Sequence, residues 1–339
     1  MFFKLACAAL LLLLPLCTSL NAPSKLPCPP DTEISPCVCT VGVDVDMYVD
    51  CSQVQDADEL KKAFSGNIPF SDFTSLVIEN NNELTELRVG DFGQATFKEI
   101  HITGGILDTI DEMALSNSYT TLTILELQHN SISSFPFEEI FSFSKLTRFR
   151  IDDNDIKIFP EIESSTLQQF NIGYNPLGDI TADALKKIPH LVEIGLQSTG
   201  LTEIATGTLT GLTSLSEVHL ENNTLTILHA GTIEVHGTNF IYLGGNDLTS
   251  IEVSAIKGAT GELWLENNLL PELVDKVWQP LLDAGVILYA SGNPLSCDCS
   301  VAWLVLEAKY ISDLGDDVAC EDGELVKDLD PAIYVKMCG

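Results

Sequence analysis

LTILELQHNSI (122–132), LTRFRIDDNDI (146–156), LQQFNIGYNPL (167–177) and LSEVHLENNTL (215–225) share one pattern, L-x-x-L-x-L-x-x-N-x-L. Outward from these, weaker copies follow: FKEIHITGGIL (97–107) with Gly105 in the Asn position, LVEIGLQSTGL (191–201) with Thr199 there, and segments centred on Asn246, Asn268 and Asn293. A first, irregular copy runs from Phe73 with one residue inserted around Asn81. With the Asn position as marker, successive copies lie 21 to 25 residues apart, which makes ten coils of one repeating unit. A chain built this way is one long stack rather than the two globular domains its 339 residues would otherwise suggest.

The unit is that of a leucine-rich repeat, and the expected class is α/β: a solenoid of about ten coils with a parallel sheet lining its concave face. In x-L-x-L-x the leucines alternate at period two, so they point inward from a short strand and the intervening residues point out. The Asn amide both donates and accepts, which suits it to satisfy backbone groups where the chain turns out of the strand. Later apolar positions such as Phe135, Ile180, Ile204 and Leu228 close the coil on the convex side, where FPFEEIFSF predicts short helical turns. No coil buries its leucines alone, so both ends need covers.

Residues 1–19 carry Lys4, an apolar run from Leu5 to Leu16 and small residues at Thr18 and Ser19, the layout of a signal peptide cleaved after Ser19 or, second choice, after Ala22. No later stretch is a membrane-span candidate and no lipid-anchor signal is expected, so the protein reads as secreted. Of ten cysteines, Cys7 and Cys17 leave with that peptide and eight remain, four at each end. Cys28, Cys37, Cys39 and Cys51 belong to an N-terminal cap over 20–72, ahead of repeats over 73–295. Cys297, Cys299, Cys320 and Cys338 belong to a C-terminal cap over 296–339, where Trp303 and Leu304 are placed to plug the last coil. An even count in a secreted chain reads as disulfides, with three pairings open per group, and the oxidising compartment disfavours zinc. The 49 acidic and 17 basic side chains give a net charge of −32, which repels nucleic acid and anionic membrane.

The residue between the two strand leucines recurs once per coil on the outward face, and the last three in that column are Tyr242, Trp264 and Tyr289. Phe240 and Ile287 stand beside them, with an acidic rim of Glu193, Glu217, Glu221, Glu262 and Glu266. Two readings are open for these aromatics: cross-strand packing under a covering loop, or a partner-binding site centred on Tyr242, Trp264, Tyr289 and Phe240 with Glu217 and Glu262 steering a basic partner. His101 and His219, both outward, lie five coils apart, about 24 Å, too far to share one ion. The acids Asp44, Asp46 and Asp50, and Asp152, Asp153 and Asp155, show no calcium-loop spacing and read as solvated. Neither a catalytic nor a nucleotide-binding motif is present, so no catalytic residue, metal or cofactor is expected. Asn222, in N-N-T, is a glycosylation acceptor placed on an exposed strand edge.

The cysteine groups resemble the flanking caps of extracellular leucine-rich-repeat proteins. That resemblance implies pairing of Cys28 with Cys39, Cys37 with Cys51, Cys297 with Cys320 and Cys299 with Cys338. A closer one is carried by PCVCTV and VDMYVDC in the front cap, FGQATFKEIHI with GGILDTI, SSFPFEEI, and GNPLSCDCSVAWL with LVKDLDPAIY at the rear. Over nearly the whole mature chain these stretches resemble the larger, non-catalytic subunits of the secreted luciferases of oplophorid shrimp. The resemblance implies a scaffold that supports a small catalytic subunit, itself working without metal or organic cofactor. An extracellular recognition or matrix protein, reading a cell-surface or microbial ligand on the same face, is the alternative.

Overall fold

The computed structural model describes residues 27–66 and 68–338, so the segment read as a signal peptide lies outside the described residues. Among those residues a twelve-stranded sheet runs in chain order. It opens with the antiparallel hairpin Val38–Val41 and Met47–Asp50, and parallel strands follow from Asp72–Glu79 to Ile287–Tyr289. Register follows the repeat, with Leu125, Phe149, Phe170, Ile194, Val218, Ile241 and Leu263 paired side by side and all at 0% exposure. Burial along each strand alternates as the pleat requires; Glu217–His219, for example, buries only its centre. The chain is a leucine-rich-repeat solenoid with one core running through the coils and a small second cluster, Val301, Val305 and Tyr334, in the rear cap.

Stacking coils buries carbonyls and N–H groups beyond the end of each strand, and the Asn position meets that demand. Asn154 Nδ2 donates to Leu127 O of the preceding coil (3.0 Å) and to Ile151 O of its own (3.1 Å), while its Oδ1 accepts from Ile132 N–H (2.8 Å). Asn175, Asn246, Asn268 and Asn293 repeat this arrangement. Where Thr199 stands in the slot, its hydroxyl donates to Leu196 O and its N–H donates to Asn223 Oδ1. A Cβ at Gly105 would fall 2.6 Å from Asn81 O, so that coil leaves no room for a side chain there. The residue just before the slot has positive φ in every coil; Asn80, His129, Asp153, Asn222 and Asn267 fill it, as do Gly104, Gly245 and Gly292. Asn, Asp, His and Gly tolerate this left-handed turn best, while Tyr174 and Ser198 show that stacking enforces it on other side chains too.

On the convex side the chain makes short parallel strand pairs, such as Ile227–Leu228 with Ser250–Ile251, a 3₁₀ turn at Phe137–Ser142 and a helix at Asp275–Asp283 that buries Trp278 and Leu282. Both ends are covered. Bridges Cys28–Cys39 and Cys37–Cys51 hold the front hairpin, and the helix Ala57–Ser65 sets Phe64 edge-on against Phe73, Phe92 and Phe97. At the rear, Cys297–Cys320 and Cys299–Cys338 fix a cap in which Leu304 is buried and Trp303 Nε1 donates to Leu273 O. Leu288 N–H donates to Asp313 O and Gly315 N–H to Leu288 O, which covers the last strand edge.

Replacing Asn223 with Ala strands the buried N–H groups of Thr199 and Leu201 and removes one of the two side-chain donors to each of the carbonyls of Leu196 and Leu220, which keep the Thr199 hydroxyl and the Asn246 amide. Urea unfolding of Asn223→Ala is expected to show a loss of about 3 kcal/mol or more; a loss below about 1 kcal/mol would show that the amide ladder does not hold the coils together. Reduction of the bridges is expected to cost about 2 to 5 kcal/mol for each one opened, read as a lower urea midpoint in dithiothreitol.

Candidate partner-binding face

The outward column places one side chain per coil on the open face of the sheet, at the spacing of neighbouring strands. In the last coils these are flat rings, and the strand register brings them face to face. Trp264 and Tyr289 stack with centroids 3.9 Å apart at 15°, and Tyr242 and Trp264 stand 6.1 Å apart at 29°. His219 heads the row, stacked on Tyr242 at 4.6 Å and 12°. Its place in the repeat, one coil before Tyr242, is the sequence signal for this membership, which depends on the flatness of the imidazole and not on its metal-binding nitrogens. All four are half-buried. Rear-cap Gly315 lies against Tyr289, where an added Cβ would come within 2.8 Å of the ring. Phe240, half-buried, and Ile287, 39% exposed, stand in the flanking row, in register with Glu217 and Glu262.

Carboxylates line the rings on both sides. His219 Nε2 lies 3.0 Å from Glu217 Oε1 and its Nδ1 3.3 Å from Glu221 Oε1, and Trp264 Nε1 donates to Glu262 Oε2 at 3.0 Å. Burial opposes a charge on His219, but the bonds to Glu221 and Glu217 outweigh it and hold the imidazole above its ordinary value. Burial, then the charges of Glu217, Glu262 and Glu221, raises the Tyr242 phenol, and burial chiefly raises the Glu266 carboxyl.

Gly195 divides this face. A Cβ there would collide with the Asn171 amide, 2.3 Å away, so the amide lies over the glycine and interrupts the column of larger side chains. Toward the front the face is polar and internally paired. His101 Nδ1 meets Glu126 Oε2 at 2.9 Å, Arg148 Nε donates to Gln169 Oε1 and Gln169 Nε2 donates to Glu193 Oε2. Asp152 corrects the reading of its cluster as solvated acid: it is 4% exposed and takes both Nε and Nη2 of Arg150. Asn222 is exposed but sits in the left-handed turn after the strand Glu217–His219 rather than on a strand edge. Among the described residues no three His, Cys, Asp or Glu side chains are grouped to hold a metal ion, and no helix is long and apolar enough to cross a membrane.

Residues 189–248 match the leucine-rich-repeat family model. Across 316 residues, 92% of the chain and 88% of the relative, the sequence is 35% identical to the Oplophorus-luciferin 2-monooxygenase non-catalytic subunit of Oplophorus gracilirostris. The chain belongs to the family of that subunit. More distantly similar are lumican of Gallus gallus, 25% identical over 57% of this chain and 55% of its own, and a chain in the solved structure of an octameric complex of Latrophilin 3, Unc5D and FLRT2. That structure is similar in fold, with a TM-score of 0.71 at 23% identity over 88% of this chain and 93% of its own. Within the non-catalytic-subunit family, this chain thus presents a sheet face whose front half is bonded to itself and whose rear half carries stacked rings between carboxylates.

The two bracketed histidines set a pH dependence. Glu126 raises the His101 imidazole and Glu221 with Glu217 raises His219, so both contributions to stability are complete below the ordinary imidazole value of 6.5 and fade as pH rises through the higher folded-state values. The His101 bond holds Glu126 below its ordinary 4.5, a contribution present above that value and lost on acidification. The urea midpoint of the native chain is therefore expected to fall more between about pH 6 and 8 than that of the His101→Gln/His219→Gln variant. NMR titration should give both imidazoles midpoints above 6.5; midpoints at or below that value would show that the carboxylate brackets do not form.

Proposed function

We propose that the protein is a secreted, non-catalytic scaffold that binds and stabilises a partner protein through its concave face, as a subunit like the relative from Oplophorus gracilirostris. The row His219, Tyr242, Trp264 and Tyr289 on that face carries the reading, because stacked aromatic side chains left at a surface are the groups that anchor interfaces. Secretion is supported by four disulfides at the two ends and by the signal-peptide layout of residues 1–19. The non-enzymatic reading is supported by the relative's own description as non-catalytic. On this reading the partner is a small catalytic subunit of luciferase type.

A second reading, an extracellular recognition or matrix protein, draws on the similar leucine-rich-repeat chain that sits in a complex with Latrophilin 3 and Unc5D. Mass spectrometry of what co-elutes with the native protein from its own secretion separates the two. A single small protein in fixed ratio supports the scaffold, and heterogeneous surface ligands support recognition. In that native complex Trp264→Ala is expected to weaken binding by about 2 kcal/mol, roughly 30-fold in Kd, with thermal unfolding nearly unchanged. Unchanged binding together with a large loss of stability would instead make the ring row a packing feature of the sheet.

A further inference from the structure

The rear half of the ring-bearing face has a charge pattern that the front half lacks. Around Tyr242 the register sets four carboxylates at the corners of a rectangle. Glu217 and Glu262 lie two residues before the ring row, on the strands either side of Phe240, and Glu221 and Glu266 lie two residues after it, either side of Gly244. At ordinary strand spacing and rise the rectangle measures about 10 Å by 13 Å. Its floor is Phe240, the Tyr242 ring and bare backbone at Gly244, where an added Cβ would press on Glu266 O at 3.3 Å. Between Ile188 and Ala308 the only lysine or arginine side chains are Lys257 and Lys276. Lys257 belongs to the convex strand pair and Lys276 to the helix Asp275–Asp283, so neither is on this face. Front-half Glu126 and Asp152 are paired with Arg or His, whereas His219 is the one titratable cation bonded to these four glutamates. Beside Glu221 in the same row, Gln197 is 8% exposed and its Oε1 has no donor among the described residues.

We propose that the rectangle around Tyr242 receives an arginine- or lysine-bearing segment of the partner, the methylene stems lying over Phe240 and the ring edges and the cationic heads reaching Glu217, Glu221, Glu262 and Glu266. This rests on the scaffold reading and adds the chemistry of what docks. Long basic side chains suit such a surface because stem and head are separately apolar and charged. Because the Tyr242 ring at the centre of the rectangle has His219 stacked on one face and Trp264 on the other, the carboxylate rows carry the selection for charge. The front half, already neutralised by its own Arg and His, offers no equivalent site.

The test uses fluorescein-labelled octa-arginine, octa-lysine and octa-serine and the full-length protein, with anisotropy read at about 0.15 M salt, where the screening length is about 8 Å and distant charges count little. Two variants of equal net charge are compared: Glu217→Gln/Glu221→Gln/Glu262→Gln/Glu266→Gln, and a control with Glu203→Gln, Glu272→Gln, Glu307→Gln and Glu321→Gln at exposed positions off this face. The basic peptides are expected to bind and octa-serine not, with affinity falling about tenfold or more in the first variant and less than about threefold in the control. Equal losses in both variants, or octa-serine binding as well as octa-arginine, would overturn the proposal; Glu266→Gln alone, the smallest change, guards against misfolding of the quadruple variant. If the peptides fail this test while the native partner still depends on Trp264, the basic-segment assignment falls and the scaffold reading stands. Loss of the Trp264 dependence would remove both.

Discussion

A coil of backbone that turns out of one strand and returns to begin the next must bury polar groups that no strand partner reaches, and the structure turns on how they are satisfied. In six of the ten coils one amide donates to carbonyls of two successive coils and accepts an N–H from the coil before it, as Asn154 does with Leu127, Ile151 and Ile132. Leaving such groups unpaired costs on the order of 1–3 kcal/mol each, so the ladder fixes how one coil sits on the next. The left-handed residue ahead of each amide and the side-chain-free position at Gly105 are adjustments to the same stacking.

That register also determines the outward face. Once coils cannot slip, residues at the same place in successive repeats stand at strand spacing, and their chemistry is read as a row. Flat rings in consecutive coils then stack, which is why Tyr242, Trp264 and Tyr289 meet although more than twenty residues separate each from the next. A single glycine, Gly195, ends the large-side-chain column and leaves two halves with different electrostatics. The caps serve the same stack from its ends, where otherwise the leucine rows would face water.

Much of this was legible in the repeat. The L-x-x-L-x-L-x-x-N-x-L pattern identifies buried positions and strand direction because period two and the coil length leave one way to arrange them. The pattern is silent where the structure depends on conformation or on neighbours in space. It does not show that Tyr174 or Ser198 must turn left-handed, since neither is among the residues that tolerate that conformation best. It does not show that Asp152 is buried on Arg150, since only the strand geometry aims both at one place. The repeat marks His219 as an outward residue, but not as a member of the ring row, because stacking on Tyr242 depends on how the neighbouring strand presents its ring. Which cysteines bond within each cap was not legible from spacing, because loop path and not sequence distance brings Cys37 to Cys51 and Cys299 to Cys338.

On the proposed reading the partner sits on the ring-bearing face and not on the convex side. Hydroxyl-radical footprinting of the native complex against the free chain tests it directly, since aromatic and sulfur side chains are the most reactive. Met113 and Phe141, 55% and 68% exposed and outside the ring row, serve as internal controls. The account predicts that Tyr242, Trp264 and Tyr289 are shielded in the complex while Met113 and Phe141 stay reactive. Shielding of Met113 or Phe141 with an unchanged Trp264 would contradict it.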